Sequence, residues 1–306
     1  MTTKTKDATK SAASHTEAHF HEEAAARAYL EAMRWPSGPN CPHCGGADRQ
    51  SRLEGKAHRV GLLFCGHCRQ QYTVTVGTVF ADSKVPLHKW VYATHLMCSS
   101  KKGISSKQLE RVLGVTYKTA WFMSHRIREA MKSEGGLIGG NEPSDDVIVE
   151  ADETYITGKP NRKLRQRGRK DAVFALVERK GQVRAFHVPD VTAKTLKEKL
   201  RKNVQRQANI MTDEALMYRG LSVEFRSHDT VRHSEKEYVR EEAHTNTVEG
   251  FFSIFKRGIY GVYQHVSSHH LQRYATEFEF RYNNRSSLGI EDEERAATAL
   301  RGMALT

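Results

Sequence analysis

No apolar run in the 306-residue sequence approaches the ~18 residues that a membrane-spanning helix needs. The opening MTTKTKDATKSAASHTEAH lacks an apolar h-region, so it does not read as a secretory signal. It is expected to be a short disordered tail over residues 1–21. Cysteine is scarce, with five in the whole chain. A secreted disulfide scaffold would be smaller and denser in Cys, so a reducing cytoplasm with bound metal fits better. No segment repeats at solenoid spacing. Acidic residues fall short of basic ones, 36 Asp and Glu against 48 Lys and Arg, leaving a formal net charge of +12. That balance calls for a polyanionic partner, nucleic acid or an anionic surface. With 38% hydrophobic and 27% charged residues, the composition is that of a globular protein of about two domains at ~150 residues each.

Four of the five cysteines form two CxxC knuckles, Cys41-Pro-His-Cys44 and Cys65-Gly-His-Cys68, with 20 residues between them. Two such turns on neighbouring hairpins supply four soft ligands at about 2.3 Å to a tetrahedral Zn²⁺. Gly45, Gly46 and Gly66 permit the tight turns. Four protein ligands leave no open position, so the zinc is expected to be structural. His43 and His67 occupy the same slot of each knuckle and are alternative ligands or outward-facing side chains. Cys98 reads as a small buried hydrophobe.

Glu22 to Trp35 patterns as a helix, closed by Pro36, Gly38 and Pro39. β-rich runs, LLF and YTVTV, surround the second knuckle. Together they define residues 22–86 as a zinc ribbon with a leading helix. Residues 87–134 are helical. Within them ISSKQLERVLGVTYKTAWFMSHRIREAMK carries two helical patterns around Gly114, with Leu109, Val112 and Leu113 lining the first and Thr116 as N-cap of the second. This fits a helix-turn-helix whose second helix presents Tyr117, Lys118, Trp121, His125 and Arg128 to DNA. It also fits a packed helical hairpin that touches no DNA. The Gly-rich, polar residues 135–146 are the expected linker. From 147 to 290, strands VIVEADETYI, AVFALVERKGQVRAFHV (two strands about Lys180-Gly181), ANIMTDEA and SVEFRSH alternate with helices, which implies a mixed α/β domain with helices packed on a sheet. Residues 291–306 read as a C-terminal tail.

The chemistry concentrates on carboxylates. Asp152 lies in an apolar strand, where a charge is costly unless paired or bound to a cation. Asp213 ends the apolar ANIM, and 35 residues separate it from Glu249. In HTNTVEGFFSIFK, Asn246, Glu249 and Lys256 sit at offsets of three and seven, roughly on one helical face. Each also has a plainer reading: a turn residue for Asp213, a solvated helix residue for Glu249. GKPNRKLRQRGRK places Lys159, Arg162, Lys163, Arg165, Arg167, Arg169 and Lys170 just after the first acidic strand, where they would neutralise phosphates. Lys256 and Arg257 extend the positive row.

In this order, the CPHCGG and CxxCRxQYTVTVGTVF knuckles, VEADETYI, the spaced Asp213 and Glu249, HTNTVEGFFSIFKRGIYGVY and FEFRYNNR resemble the bacterial insertion-sequence transposases of the DDE type that carry an N-terminal zinc ribbon, the ISXO2-like group. The resemblance runs from about Ala24 to Arg285. It implies a ribonuclease-H-like catalytic domain preceded by a zinc ribbon and a helix-turn-helix. Asp152, Asp213 and Glu249 would hold two Mg²⁺ ions, or Mn²⁺, and Asp152 would bridge them. Some members place Asn where the third acid stands, so Asn246 is the alternative or supplementary ligand. The implied partners are DNA, as terminal inverted repeats and target, and further copies of the chain; the implied location is the bacterial cytoplasm, on the nucleoid. Two other classes stay open at this point: a non-catalytic zinc-ribbon regulator derived from a transposase, and a nuclease that hydrolyses without joining.

Overall fold

In the computed structural model the described residues are 16–132, 135–140, 146–157, 170–231 and 244–304. The chain divides into two units. One comprises residues 1–99, 109–130 and 291–306, the other 100–108 and 131–290.

In the first unit, helix α1 (Glu23–Arg34) buries Ala26 and Leu30, which share one helical face. It stops at Trp35, which Pro36 holds out of the helical region (φ −132°, ψ 66°). Strands β1 (Gln50–Arg52), β2 (Leu63–Cys65) and β3 (Gln71–Tyr72) form an antiparallel sheet in that order. The β-rich YTVTV does not extend β3. Its backbone turns instead, with the Val76 amide donating to Thr73 O and the Thr78 amide to Thr75 O. Arg34 Nη1 satisfies the carbonyls of Val74 and Val76, at 2.7 and 2.8 Å, that a neighbouring strand would otherwise have paired.

Helix α2 (Leu87–Ser99) is followed by α3 (Ser106–Leu113) and α4 (Tyr117–Ala130). Gly114, at φ +59°, ends α3 in the left-handed conformation that favours glycine. Thr116 Oγ1 accepts the Thr119 amide and so caps α4, as the sequence predicts. Residues 291–306, expected as a tail, instead contribute a helix to this unit (α8, below).

The second unit is built on a five-stranded mixed sheet. Its strands are β4 (Ile148–Thr157), β5 (Lys170–Glu178), β6 (Val183–Val188), β7 (Asn209–Asp213) and β8 (Ser227–Val231), in spatial order β6-β5-β4-β7-β8. The β4–β5 and β5–β6 pairs are antiparallel, whereas β4–β7 and β7–β8 are parallel. Helix α5 (Ala193–Asn203) connects β6 to β7, and α6 (Asn246–Gly258) and α7 (Ser268–Asn283) follow the sheet. The last helix of the chain, α8 (Asp292–Arg301), belongs to the first unit. It packs on α2, buries Ala296, Ala299 and Leu300, and sends Arg295 Nη1 to Cys98 O at 3.0 Å.

Both faces of the sheet are covered, which explains the near-continuous apolar run of β5. Ala172, Phe174 and Leu176 join Val149 and Ala151 of β4 and Leu196 and Leu200 of α5 on one side. Val173, Ala175 and Val177 meet Phe251, Phe252 and Phe255 of α6 and Leu271 and Phe278 of α7 on the other. Phe255 is fully buried and stands edge-on to Phe278, with ring centroids 5.3 Å apart. Phe255→Ala is expected to lower the stability of this unit by about 3–5 kcal/mol in urea unfolding, the range for an aromatic-sized cavity.

The expected strand SVEFRSH begins too early. Residues 221–223 make a 3₁₀ turn, Val223 is exposed, and β8 starts only at Ser227, opposite Asn209. After α6 the helix widens into a π-helical turn over Ile259–Tyr263. The linker expectation also falls partly on ordered packing, since Ile138 is buried and bridges Val204.

Candidate active site

The two knuckles repeat one backbone pattern. The Gly45 amide donates to Cys41 O and the Arg69 amide to Cys65 O; the Cys41 amide donates to Gly46 O and the Cys65 amide to Gln70 O. Gly45 (φ +75°) and Arg69 (φ +59°) hold equivalent left-handed positions, so the second knuckle accepts at an arginine what the first assigns to glycine. Cys41 Sγ lies 3.5 Å from Cys68 Sγ, and Cys44 Sγ 3.7 Å from Cys65 Sγ. All four sulfurs lie within 4.8 Å of one another. Ligands at about 2.3 Å on tetrahedral corners stand about 3.8 Å apart, so the four thiolates fit Zn²⁺. Hydrogen bonds from the Cys68 amide, the Gln50 side chain and the His67 amide bring the Cys65 thiol down to about 6, whereas burial and the neighbouring sulfurs push the Cys68 thiol up to about 12 and raise that of Cys44, so without a metal the four share their protons unevenly. His67 Nε2 is turned to Asp48, at 2.9 Å, and His43 is exposed.

The acidic residues converge in the second unit. The parallel β4–β7 ladder ends with Glu150 opposite Met211, each two residues before Asp152 and Asp213 on its strand, and the Asp213 charge is felt at Asp152. Glu249 enters from the first turn of α6, whose three phenylalanines hold it against the sheet. Burial first, and then the charges of Glu153, Asp213 and Glu249, push the Asp152 carboxyl up to about 7, against the opposing pull of the Glu153 amide. That amide donates to Asp152 Oδ1 at 2.8 Å. Asp213 Oδ1 accepts the Ala215 amide at 3.1 Å, so the turn role and the convergence coexist. Burial also raises the Glu153 carboxyl, whose Oε2 accepts the Tyr218 hydroxyl at 2.6 Å. Tyr218 is fully buried, and burial and the Glu153 charge raise its phenol in turn.

Among the described residues, neither Asp152 nor Asp213 has an ion-pair partner. Among the described residues no cation is placed to balance them, a setting that a bound cation would resolve. The donor set is all hard oxygen, the kind Mg²⁺ and Mn²⁺ take. Among the described residues, the four cysteines are the group of three or more ligand side chains placed to hold one ion; Asp152, Asp213 and Glu249 do not form such a group. Ligands of one Mg²⁺ at about 2.1 Å cannot stand more than ~4.2 Å apart. A pair of ions about 3.5–4 Å apart would be held by carboxylates that do not all meet at one point.

The comparisons agree with this division. Residues 144–283 match the ISXO2-like transposase domain, and residues 21–71 match the transposase zinc-ribbon domain. The chain carries an ISXO2-like transposase domain. The transposase domain spans β4 through α7, hence every converging carboxylate, and the zinc-ribbon domain spans α1 and both knuckles. The chain is also similar to an uncharacterized protein in transposable element ISH50 of Halobacterium salinarum, at 27% identity over 281 residues, 86% of this chain and 91% of that protein.

The other expected site residues of this chain fare unevenly. Tyr117 and Lys118 are exposed on α4. His125 and Arg128 are not outward: they are 5% and 1% exposed, and Arg128 Nη1 donates to Ser124 Oγ at 3.0 Å. Ala120, Met123, Ile127 and Ala130 are buried as well, so α4 buries a broad face that includes these two positions. Phe122, half exposed with Arg126 5.1 Å from its ring, is the outward aromatic that the pattern missed. Val112, expected inside, is exposed. Asn246 is exposed at the start of α6, Lys256 is half-buried and Arg257 exposed. Lys170 opens β5, 6.0 Å from the Tyr155 ring. Lys159, Arg162, Lys163, Arg165, Arg167 and Arg169 lie outside the described residues. Among the described residues, no helix is long and apolar enough to cross a membrane.

Proposed function

We propose that this chain is an active DNA transposase. It binds the terminal inverted repeats of its element and cleaves and joins DNA strands through Asp152, Asp213 and Glu249. The single observation that carries the reading is the convergence of these three carboxylates, from β4, β7 and α6, around a half-buried Asp152 raised to about 7. The sheet order supports a ribonuclease-H-like assignment, because an antiparallel trio β6-β5-β4 continues into parallel β7 and β8. The Gly114 turn and the Thr116 cap support reading α3 and α4 as a helix-turn-helix, with Tyr117, Lys118 and Phe122 facing DNA.

Asp152, Asp213 and Glu249 would hold two Mg²⁺ ions, which supply Lewis-acid stabilisation of charge on the reacting phosphodiester oxygens. The chain's own contribution is orientation. The β4–β7 pairing holds Asp152 within reach of the Asp213 charge, and Thr245 Oγ1 donates to Glu249 Oε1 at 3.3 Å. Lys256, two turns beyond Glu249, meets the DNA backbone. Asn246, at the helix start, supplements Glu249 rather than replacing it. Zinc has no part in the chemistry and shapes the ribbon for end recognition. The protein works as a homo-oligomer that brings two ends together.

The purified full chain, labelled inverted-repeat DNA and Mg²⁺ test this reading. Cleaved ends and joined products are expected. Hydrolysis without joining would make it a nuclease, and tight binding without cleavage would make it a regulator. Lys256→Ala is expected to weaken end binding about equally for all sequences. It should also reduce the slope of log K against log salt by roughly 0.9, as for one lost phosphate contact. An unchanged slope would remove Lys256 from the DNA interface.

A further inference from the structure

Glu150 stands two residues before Asp152 on β4 and is completely buried. Its carboxylate is fully engaged. Oε2 accepts the backbone amides of Thr247 (2.8 Å) and Val248 (3.0 Å), and Oε1 accepts Thr247 Oγ1 (2.8 Å) and Arg179 Nε (2.7 Å). His244 Nδ1 lies 3.2 Å from Oε1. Arg179 also donates Nη2 to His244 O at 3.0 Å, so it grips the chain entering α6 as well.

The two amides are among those that a helix N-terminus leaves without an internal partner. Ordinarily the N-cap residue's own side chain takes one of them. Here the N-cap, Thr245, makes no such bond. Its hydroxyl instead donates to Glu249 Oε1. A carboxylate from the sheet has taken over the capping, and the helix's own cap residue is turned to the acid it carries. The negative charge of Glu150 also meets the positive end of α6, and Arg179 balances it, which is what makes a fully buried carboxylate tolerable. The result is a rigid link between the strand bearing Asp152 and the helix bearing Glu249.

We infer that Glu150, braced by Arg179, is a positioning residue that sets Glu249 at the divalent-metal site by capping α6 from β4. The inference rests on the proposed reading of Asp152, Asp213 and Glu249 as metal ligands. Glu150 itself touches neither metal nor DNA.

The test is Mn²⁺ binding to the full-length protein, followed by the electron paramagnetic resonance of free Mn²⁺. The proteins compared are wild type, Glu150→Gln, Glu249→Gln, the double variant and Asp152→Asn. Glu150→Gln is expected to weaken Mn²⁺ binding about 10–100-fold, the usual effect of losing a group that orients a ligand. In the Glu249→Gln background the same substitution should change affinity less than about twofold, because the residue it acts through is gone. In the metal-free protein, Glu150→Gln should speed hydrogen exchange at the Thr247 and Val248 amides, whereas Glu249→Gln should not. If Glu150→Gln does not fold, Thr247→Ala carries the test, with a smaller weakening that again vanishes in the Glu249→Gln background. Wild-type-like affinity in Glu150→Gln, or effects that multiply in the double variant, overturns the inference and leaves the metal site standing. Unchanged affinity in both Asp152→Asn and Glu249→Gln overturns the metal site and this inference together.

Discussion

Asp152→Asn is expected to cut DNA cleavage and joining at least about 10³-fold while leaving end binding within about twofold. Were Asp152 to hold the proposed ions, removing it would forfeit several kcal/mol of charge stabilisation at the reacting phosphate, and each ~1.4 kcal/mol is tenfold in rate. The same variant has a second signature, independent of activity. In the metal-free protein the Asp152 carboxyl is raised from 3.8 to about 7, chiefly by burial. The folded state therefore holds this proton more tightly than the unfolded chain does. The associated stability is fully present below about pH 4 and lost as pH rises through about 7, up to ~4 kcal/mol in all. Asparagine keeps the shape without the charge. With no divalent cation added, Asp152→Asn should thus melt above wild type at pH 8, with the gap closing toward pH 4. Mg²⁺ should raise the wild-type Tm at pH 8 and leave the variant's nearly unchanged. Melting curves at the two pH values, with and without Mg²⁺, check both statements. A variant that melts below wild type at pH 8 would mean that Asp152 is stabilised as an anion by some other group.

The second large effect is expected at the knuckles. Cys65→Ser removes one of four sulfurs whose mutual distances already match a tetrahedral ion. Structural zinc contributes on the order of 10–16 kcal/mol in small zinc modules, so a three-sulfur site should lose both the metal and the ribbon fold. Metal analysis should fall from one zinc per chain toward zero. If the ribbon reads the element's ends, affinity for end DNA should drop at least about 100-fold toward the non-specific level, since specific binding exceeds it by roughly 10³–10⁷. Unchanged end affinity after verified zinc loss would confine the ribbon to a different task.

What was legible in the sequence follows from what local pattern can encode. The knuckles were legible because a CxxC turn carries its geometry within four residues, and the backbone pattern of the two turns repeats bond for bond. The carboxylates were legible as a spacing and a resemblance; that the Asp213 charge reaches Asp152 depends on a parallel pairing between strands some sixty residues apart. Exposure on α4 was read poorly. Periodicity assigns one buried stripe, whereas α4 also buries Ser124, His125 and Arg128, and hydrogen bonds make an interior arginine tolerable. That Glu150 shares a strand face with Asp152 follows from strand alternation; its partners Arg179 and Thr247 had no local signal, because they lie 29 and 97 residues away. The residues read as a tail hold alanines and a leucine that become a packed face only when α2 is beside them.

The central claim is that Asp152, Asp213 and Glu249 form one metal site for DNA strand chemistry. Its most direct test is the rate of end cleavage against Mg²⁺ concentration for wild type, Asp152→Asn, Asp213→Asn, Glu249→Gln and Asn246→Ala. Cleavage should be strictly Mg²⁺-dependent in wild type, collapse in all three carboxylate variants, and survive within about tenfold in Asn246→Ala, where a supporting group is lost but the ligands remain. Cleavage near the wild-type rate in any of the three carboxylate variants would contradict the claim.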